Sequence, residues 1–454
     1  MKDQKHHEHQ VNNVHQIREG NMHQQPRRKL YLAGAGAAAM AVLMLIGTLG
    51  SSAVAGASKK GGPHFDGTVH FTAIGPLTGS YAALGIPILE GTKTAAYLIN
   101  KAGGILGKKL VVDPVDTKGD PADAATALTQ EIAINHPKAL IGPITLEING
   151  VEPIFTRFQI PDGWNGGTPD FVHQTNKYLW RCNPSDTEQT VAIAGYAAQK
   201  KYKTAAMLFT TSAASQSFEP IIKADYTKLG GKIVATESIS AGLSTYSSEA
   251  SALMAKHPQV VFTQMTPPTA AAFFKNLESL NLLKVPFIGT TFMAGATVIQ
   301  AIGPSLSKTQ MVEVQGSTAI SGAGSLFKAT YQKVNGHAVE SGANFAYDCT
   351  VDFALAMDKA KSFSGPKVIA HMDTVSNPPG VKVYTYAQGL AELKKGKKID
   401  YTGVSGPMNF NKYHNVNGAW SVVRATGKST GSVSVVETIA ATQIVKYQQG
   451  KGKM

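Results

Sequence analysis

From residue 68 onward the chain repeats one pattern: a short, almost wholly apolar run, a turn rich in Gly, Pro and Thr, and then a longer stretch with apolar residues at helical spacing. TVHFTAI at 68–74 reads as a strand, 75–79 as a turn, and 82–101 as a helix carrying Leu84, Ile88, Ala95 and Leu98. LVVDPVD at 110–116 is a second strand. The helix predicted over 121–134 opens with Asp120 as cap and Pro121 at its first position. Strands follow at 139–142, 205–209, 232–235, 260–263 and 286–289, with helices at 218–229, 246–257 and 268–280. Strands with so little polar alternation have no face to offer water, so they belong in parallel sheets covered by helices on both sides. Two such sheets account for the length, and no solenoid period is present.

In open α/β sheets, ligands bind beyond the carboxyl ends of the strands, where loops lead into helix N-termini. Here those loops are 75–81, 142–149, 162–168, 210–217, 264–267 and 289–293, all rich in Gly, Thr, Ser or Asn. Hydroxyls and backbone N–H groups suit a small polar solute better than proton chemistry. GGILGKK at 103–109 is one residue short of a phosphate loop and ends in Lys; Gly427-Lys428-Ser429 has Val422 where the leading glycine belongs. No nucleophile elbow is expected either, so the chain is predicted to bind rather than catalyse, with no cofactor. Cys182 and Cys349 lie too far apart for a CxxC zinc site, and the histidines beyond the N-terminal region are dispersed, so no metal is expected. In an exported protein the two cysteines can form a bridge if their Cα atoms come within about 7 Å.

Residues 1–29 are polar, carry His6, His7, His9, His15 and His23, and end in Arg27-Arg28-Lys29. Nothing orders these histidines, so a solvated tail is expected. Residues 30–50 contain no charge, and Ala53-Val54-Ala55 then offers the small residues a signal peptidase reads. The segment is either an export signal, by the general or the twin-arginine route, or an uncleaved membrane anchor. No cysteine follows it to carry a lipid. Residues 58–67 read as a linker and 447–454 as a disordered tail. The expected location is exported, periplasmic or cell-surface. The net charge is +13 with scattered basic residues, which gives no indication of a nucleic-acid partner.

AIGPLTG at 73–79, Gly85, Glu90-Gly91 and NKAGGILG at 100–107 resemble the opening of the type I solute-binding proteins of branched-chain amino-acid transport. The resemblance continues through LIGP at 140–143, WRCNPSD at 180–186, LGGKIV at 229–234 and AYD at 346–348, and closes with YTGVSGPMNF at 401–410. Singly these motifs are weak, but their order over most of the chain is specific. The resemblance implies an α/β fold of two Rossmann-like lobes joined by a three-crossing hinge, a ligand cleft between them, and delivery of the solute to the permease of an ABC-type transporter. Motif order places lobe 1 at 68–183 and 315–390, and lobe 2 at 184–314 and 391–446.

The family's ligand-covering residue falls near Ser80, Tyr81 and Leu84. Its carboxylate-binding serine falls near Leu146, between Thr145 and Glu147, and its next loop matches Gly166, Gly167 and Thr168, preceded by Trp164. Lobe 2 is expected to contribute Gln216, Met265, Thr266, Thr291 and Phe292. Amino-acid binders of the family offer an acid from this lobe to the ligand ammonium, yet residues 289–293, GTTFM, contain none. A buried ammonium without a carboxylate costs several kcal/mol. Either Glu147 takes the ammonium, or it only complements a helix dipole and the ligand is a carboxylate, an amide or a similar polar molecule. Trp164 either stacks on the ligand or closes the lobe edge. Two other classes stay open at this point: a membrane-tethered sensory receptor, and a hydrolase of small amides.

Overall fold

The computed structural model describes residues 63–290, 293–317, 323–427 and 433–452. The N-terminal polar region, residues 30–50, and the site candidates Thr291 and Phe292 lie outside these.

Lobe 1 begins with β1 (Thr68–Gly75), α1 (Ala82–Lys101), β2 (Lys109–Asp116), α2 (Pro121–Asn135), β3 (Ala139–Ile141), α3 (Ile148–Arg157), β4 (Asp162–Trp164) and β5 (Leu179–Arg181). The strands form a five-stranded sheet of order β2-β1-β3-β4-β5, and every pairing in it is parallel. Asp120 caps α2 by accepting the N–H groups of Ala122 and Asp123, as its sequence predicts.

The chain then builds lobe 2 from α4 (Asp186–Gln199), β6 (Thr204–Thr210), α5 (Ala213–Lys228), β7 (Lys232–Ile239), α6 (Ser247–Met254), β8 (Val260–Gln264), α7 (Pro267–Ser279), β9 (Phe287–Gly289), α8 (Ala296–Gln310) and β10 (Met311–Gly316). It returns to lobe 1 for α9 (Gly324–Asn335), α10 (Ala343–Ala360), α11 (Gly365–Ile369), α12 (Met372–Ser376), β11 (Val381–Val383), α13 (Tyr386–Lys394), β12 (Ile399–Gly403) and β13 (Gly406–Pro407). Lobe 2 is completed by β14 (Trp420–Ala425), β15 (Val433–Ile439) and α14 (Ala441–Gln448). Its seven-stranded sheet has the order β15-β14-β10-β9-β8-β6-β7, with β14 and β15 antiparallel at one edge.

Each sheet is buried on both faces. In lobe 1, Phe71, Val69 and Ile141 face the core built with α1 and α10, while Ile74 and Leu140 face the core built with α2 and α3. In lobe 2, Met207 and Phe262 face one core, and Leu208 and Val261 the other. Continuous apolar runs are what two-faced burial requires.

Two expected boundaries change. Ile399, Tyr401, Met408 and Phe410 pack into the core of lobe 1, so residues 391–410 belong there and not to lobe 2. The reason is Asp348 of α10, which accepts hydrogen bonds from the Tyr401 hydroxyl (2.8 Å) and the Val404 and Ser405 N–H groups (2.9 and 2.6 Å). The chain crosses instead at 411–418, where the His414 ring stacks on Trp180 at 4.1 Å and the Arg181 N–H donates to the His414 carbonyl. At the other end, residues 447 and 448 are helical and Tyr447 is buried against Gly195, so the tail expected from 447 begins later.

Cys182, just past β5, is bonded to Cys349 of α10, with Cα atoms 5.7 Å apart and both residues fully buried. The bridge ties together the two sequence segments of lobe 1 that flank the first excursion into lobe 2. It closes a loop of 167 positions, and crosslinks of this kind restrict the unfolded chain. The double substitution Cys182→Ala/Cys349→Ala is predicted to lower unfolding free energy by about 2–4 kcal/mol in denaturant titrations; an unchanged midpoint would contradict a stabilising bridge.

Candidate functional site

In lobe 1, three loops meet at the carboxyl edge of the sheet. The first, after β1, is shaped by Asp116 at the end of β2. Its carboxylate accepts the Leu77 and Lys118 N–H groups (2.8 and 2.9 Å) and the Thr78 hydroxyl (2.6 Å). Burial opposes its ionisation, but these hydrogen bonds win and hold it below the ordinary Asp value. On this loop Ser80 is exposed, Tyr81 is half-buried and packs over Gly119, and Leu84 is 36% exposed.

The second loop, after β3, turns at Gly142, whose φ is +95° and where a Cβ would fall 1.9 Å from the Ile74 carbonyl oxygen. Only glycine fits there. Glu147 at the far end of this loop is fully buried: one oxygen accepts the Thr117 hydroxyl and the other the Ile144 N–H at 3.0 Å. Burial raises its pKa, and both oxygens are used inside the lobe. Glu147 is therefore the brace of its own loop and is not placed to meet a ligand ammonium. Leu146 packs partly on the lobe core.

Thr145 remains at the loop's tip, where its Oγ1 accepts the Gly167 N–H at 3.1 Å. With that lone pair engaged, the Thr145 hydroxyl proton is free to donate. The third loop, after β4, supplies Gly166 and Gly167. Trp164 before them is fully buried, edge-on to Phe171 at 4.9 Å, so it closes the lobe rather than facing a ligand. A Cβ on Gly166 would strike the Trp164 ring, and one on Gly167 would lie 1.9 Å from Asp186 Oδ1. Thr168 is nearly buried, with its hydroxyl donating to Asp170 at 3.2 Å.

Behind these loops stands the first crossing. Arg181 is buried; its Nη2 donates to the Thr168 carbonyl at 2.8 Å and its guanidinium lies 4.5 Å from the Trp164 ring centre. Burial lowers its pKa to about 10, with Asp186 and Glu188 acting against the fall. Asp186 begins α4, and its N–H donates to the Gly167 carbonyl at 2.8 Å. Its carboxylate is partly exposed beside Gly167 and has no hydrogen-bond partner among the described residues. Burial raises its pKa to about 6, and Arg181 moderates the rise. Burial likewise raises Glu188 to about 7.

Lobe 2 presents a hydroxyl cluster at the N-terminus of α5: Thr210 Oγ1 lies 3.0 Å from Ser212 Oγ and 2.7 Å from Ser215 Oγ. The Gln216 amide folds back onto the Thr210 carbonyl at 2.9 Å. Met265 is buried in the lobe core, and Thr266 stands just before α7 with its hydroxyl 3.0 Å from that of Thr269. Gln264 Oε1 and Thr263 Oγ1 are buried without partners. Glu313 of β10 accepts the Ala294 N–H at 3.1 Å under the loop that follows β9.

The structure thus brings Thr145, Gly166, Gly167 and Asp186 together in lobe 1, and separately gathers the Thr210/Ser212/Ser215 cluster in lobe 2; neither Asp186 nor that cluster was among the ligand-binding candidates from the sequence. The Ser212 cap three residues before Ser215 was the available signal for the last. Among the described residues no group of three or more His, Cys, Asp or Glu is placed to hold a metal, and no helix is long and apolar enough to cross a membrane. GKSTG at 427–431 does match the spacing of a nucleophile elbow, contrary to expectation. It joins antiparallel strands β14 and β15, whereas an elbow joins a strand to a helix.

A family model described as periplasmic binding protein matches residues 68–431. The Leu/Ile/Val-binding protein BraC3 of Rhizobium johnstonii is 26% identical over 59% of this chain and 69% of its own length. Among solved structures, a branched-chain amino-acid transporter substrate-binding protein from Streptococcus pneumoniae, in complex with isoleucine, superposes with a TM-score of 0.69 at 19% identity, covering 81% of this chain and 99% of that one. A solute-binding protein of an ABC transporter from R. palustris, in complex with benzoate, gives 0.67 at 16% identity, covering 82% and 96%.

Raised carboxyl pKa values make the native protein hold more protons than the unfolded chain. The stability contributed by Asp186 and Glu188 is thus fully present below about pH 4 and is lost as pH rises through about 6 and 7. Glu188→Gln should therefore raise the urea midpoint relative to wild type at pH 8 and leave it unchanged at pH 4; an equal shift at both would contradict the titration.

Proposed function

The chain belongs to the periplasmic binding protein family, and on that premise we propose that it is the extracytoplasmic substrate-binding component of an ABC-type uptake transporter, closing its two lobes on a small carboxylate-bearing solute. The observation that carries this reading is the Thr145–Gly167 pair. The Thr145 hydroxyl accepts the Gly167 N–H and keeps its own proton to donate, beside the starts of α3 and α4, which suits a carboxylate oxygen. The hydroxyls of Ser212 and Ser215 offer a second polar wall from lobe 2, and closure would exclude water from both. Binding needs no bond made or broken.

The ligand's other end decides between amino acids and simple carboxylates. With Glu147 occupied inside lobe 1, the acid nearest the Thr145–Gly167 pair is Asp186. It holds a full negative charge only above about pH 6. An amino acid would place its ammonium there; a carboxylate or amide would not use it.

Thermal-shift screening of amino acids, aromatic carboxylates and amides would identify a ligand for titration calorimetry. Thr145→Ala is predicted to weaken that ligand about 5- to 150-fold without unfolding the protein, the effect of losing a desolvated hydrogen bond; unchanged affinity would refute the site. Asp186→Asn should weaken amine-bearing ligands and spare carboxylates without an amine. Equal loss of both classes would assign Asp186 to the hinge alone.

A further inference from the structure

The edge of lobe 1 opposite the ligand loops is a cationic face. Parallel register sets the starts of β1 to β5 side by side there, and α1, α2, α3 and α10 end there. Side-chain contacts hold the edge together: Asn100 exchanges two hydrogen bonds with the Leu110 backbone (2.8 and 2.7 Å), and the Leu106 N–H donates to Asp358 at 3.1 Å. Lys101, Lys109, Arg157, Lys361 and Lys367 are exposed on it, and Lys108 and Lys138 are half-exposed. Of the acids beside them, Asp66 is exposed, while Asp358 is already bonded to Leu106 and to the Tyr386 hydroxyl (2.5 Å). Helix dipoles account for Lys101 and Arg157 in last turns. They do not account for Lys109 and Lys138, which sit at strand starts.

Apolar side chains stand out from the same face. Ile134 is 73% exposed, Phe158 48% and Leu106 36%, and the Arg157 guanidinium lies 5.7 Å from the Phe158 ring centre. A hollow of about 240 Å³ between Lys138, Gln159 and Ser364 opens among them. The chain also enters the fold here: the Asp66 N–H donates to the Gly107 carbonyl at 3.0 Å and Lys108 Nζ to the Asp66 carbonyl at 3.2 Å. In sequence, the uncharged run 30–50 and then Lys59-Lys60 lead into this point. Fully extended, residues 51–62 reach at most about 40 Å.

We propose that this face rests on a bilayer surface carrying anionic headgroups, its lysines and arginine against the phosphates and Leu106, Ile134 and Phe158 in the interfacial layer. Cations alone would serve a nucleic acid equally well. The apolar residues between them, and the uncharged run leading to the same edge, favour lipid. The ligand loops lie at the opposite edge, so solute exchange is unobstructed.

The test uses the full chain and sedimentation with vesicles of phosphatidylcholine alone or mixed with phosphatidylglycerol. The uncharged run contributes to both, so the ratio of the two partition constants isolates the charged face. The variant Lys101→Glu/Lys109→Glu/Lys361→Glu/Lys367→Glu should lose that ratio on the order of 100-fold. The same charge change on exposed lysines of lobe 2, Lys223→Glu/Lys232→Glu/Lys256→Glu/Lys275→Glu, should lose far less. Equal losses, or a wild-type ratio near one, would overturn the proposal. An environment-sensitive dye on Ile134→Cys provides a readout without charge reversal. Its emission should shift to the blue with anionic vesicles while a dye on Leu280→Cys, exposed in lobe 2, does not. A dye at 134 that stays unshifted would equally overturn it.

Discussion

Parallel strand pairing is the constraint from which the rest follows. In a parallel sheet every strand leaves at the same edge, so every loop into a helix N-terminus gathers there, and the helix ends and strand starts gather at the other. Lobe 1 shows both consequences. Its carboxyl edge collects Thr145, Gly166 and Gly167 beside the starts of α3 and α4. Its opposite edge collects lysines and exposed apolar side chains. One topological fact separates the edge proposed to face the solute from the one proposed to face a membrane.

Carboxylates do the fastening in lobe 1. Asp116 shapes the first loop by accepting backbone N–H groups, Glu147 braces the second, and Asp348 holds the turn that returns β12 to lobe 1. Each carboxylate fixes a segment with no regular hydrogen bonding of its own. Desolvating an ion is costly unless its lone pairs are used, and in each of these three several donors use them. Arg181 differs: Nε and Nη1 are buried without partners, and its stabilisation comes from the Thr168 carbonyl, the Trp164 ring and the more distant charges of Asp186 and Glu188.

Most strands and helices from 68 to 289 were legible in the sequence because burial on both faces leaves a continuous run of apolar residues, as in AAMLF at 205–209; the three-residue strands β4 and β5, and helices α3 and α4 beside them, were not. The return of the chain to lobe 1 was legible only approximately. Nothing in residues 391–410 announces that Asp348, more than forty positions earlier, captures Tyr401 and Ser405. Site residues fared likewise. Thr145 and Gly167 occupy a loop edge that topology alone predicts. Glu147 had the right position for a ligand group, but its partner Thr117 comes from another loop and turns the carboxylate inward. Asp186 entered the sequence reading only as the end of the WRCNPSD motif, and its approach to Gly167 depends on a close contact that only three-dimensional packing creates.

If two lobes grip a small solute between hydroxyls and oriented N–H groups, the molecule must contract on binding. Small-angle scattering of the purified protein, alone and with each member of an amino-acid, carboxylate and amide panel, measures that contraction. The radius of gyration should fall with at least one of these solutes, as the lobes close. Profiles that stay superimposable across the whole panel would contradict it.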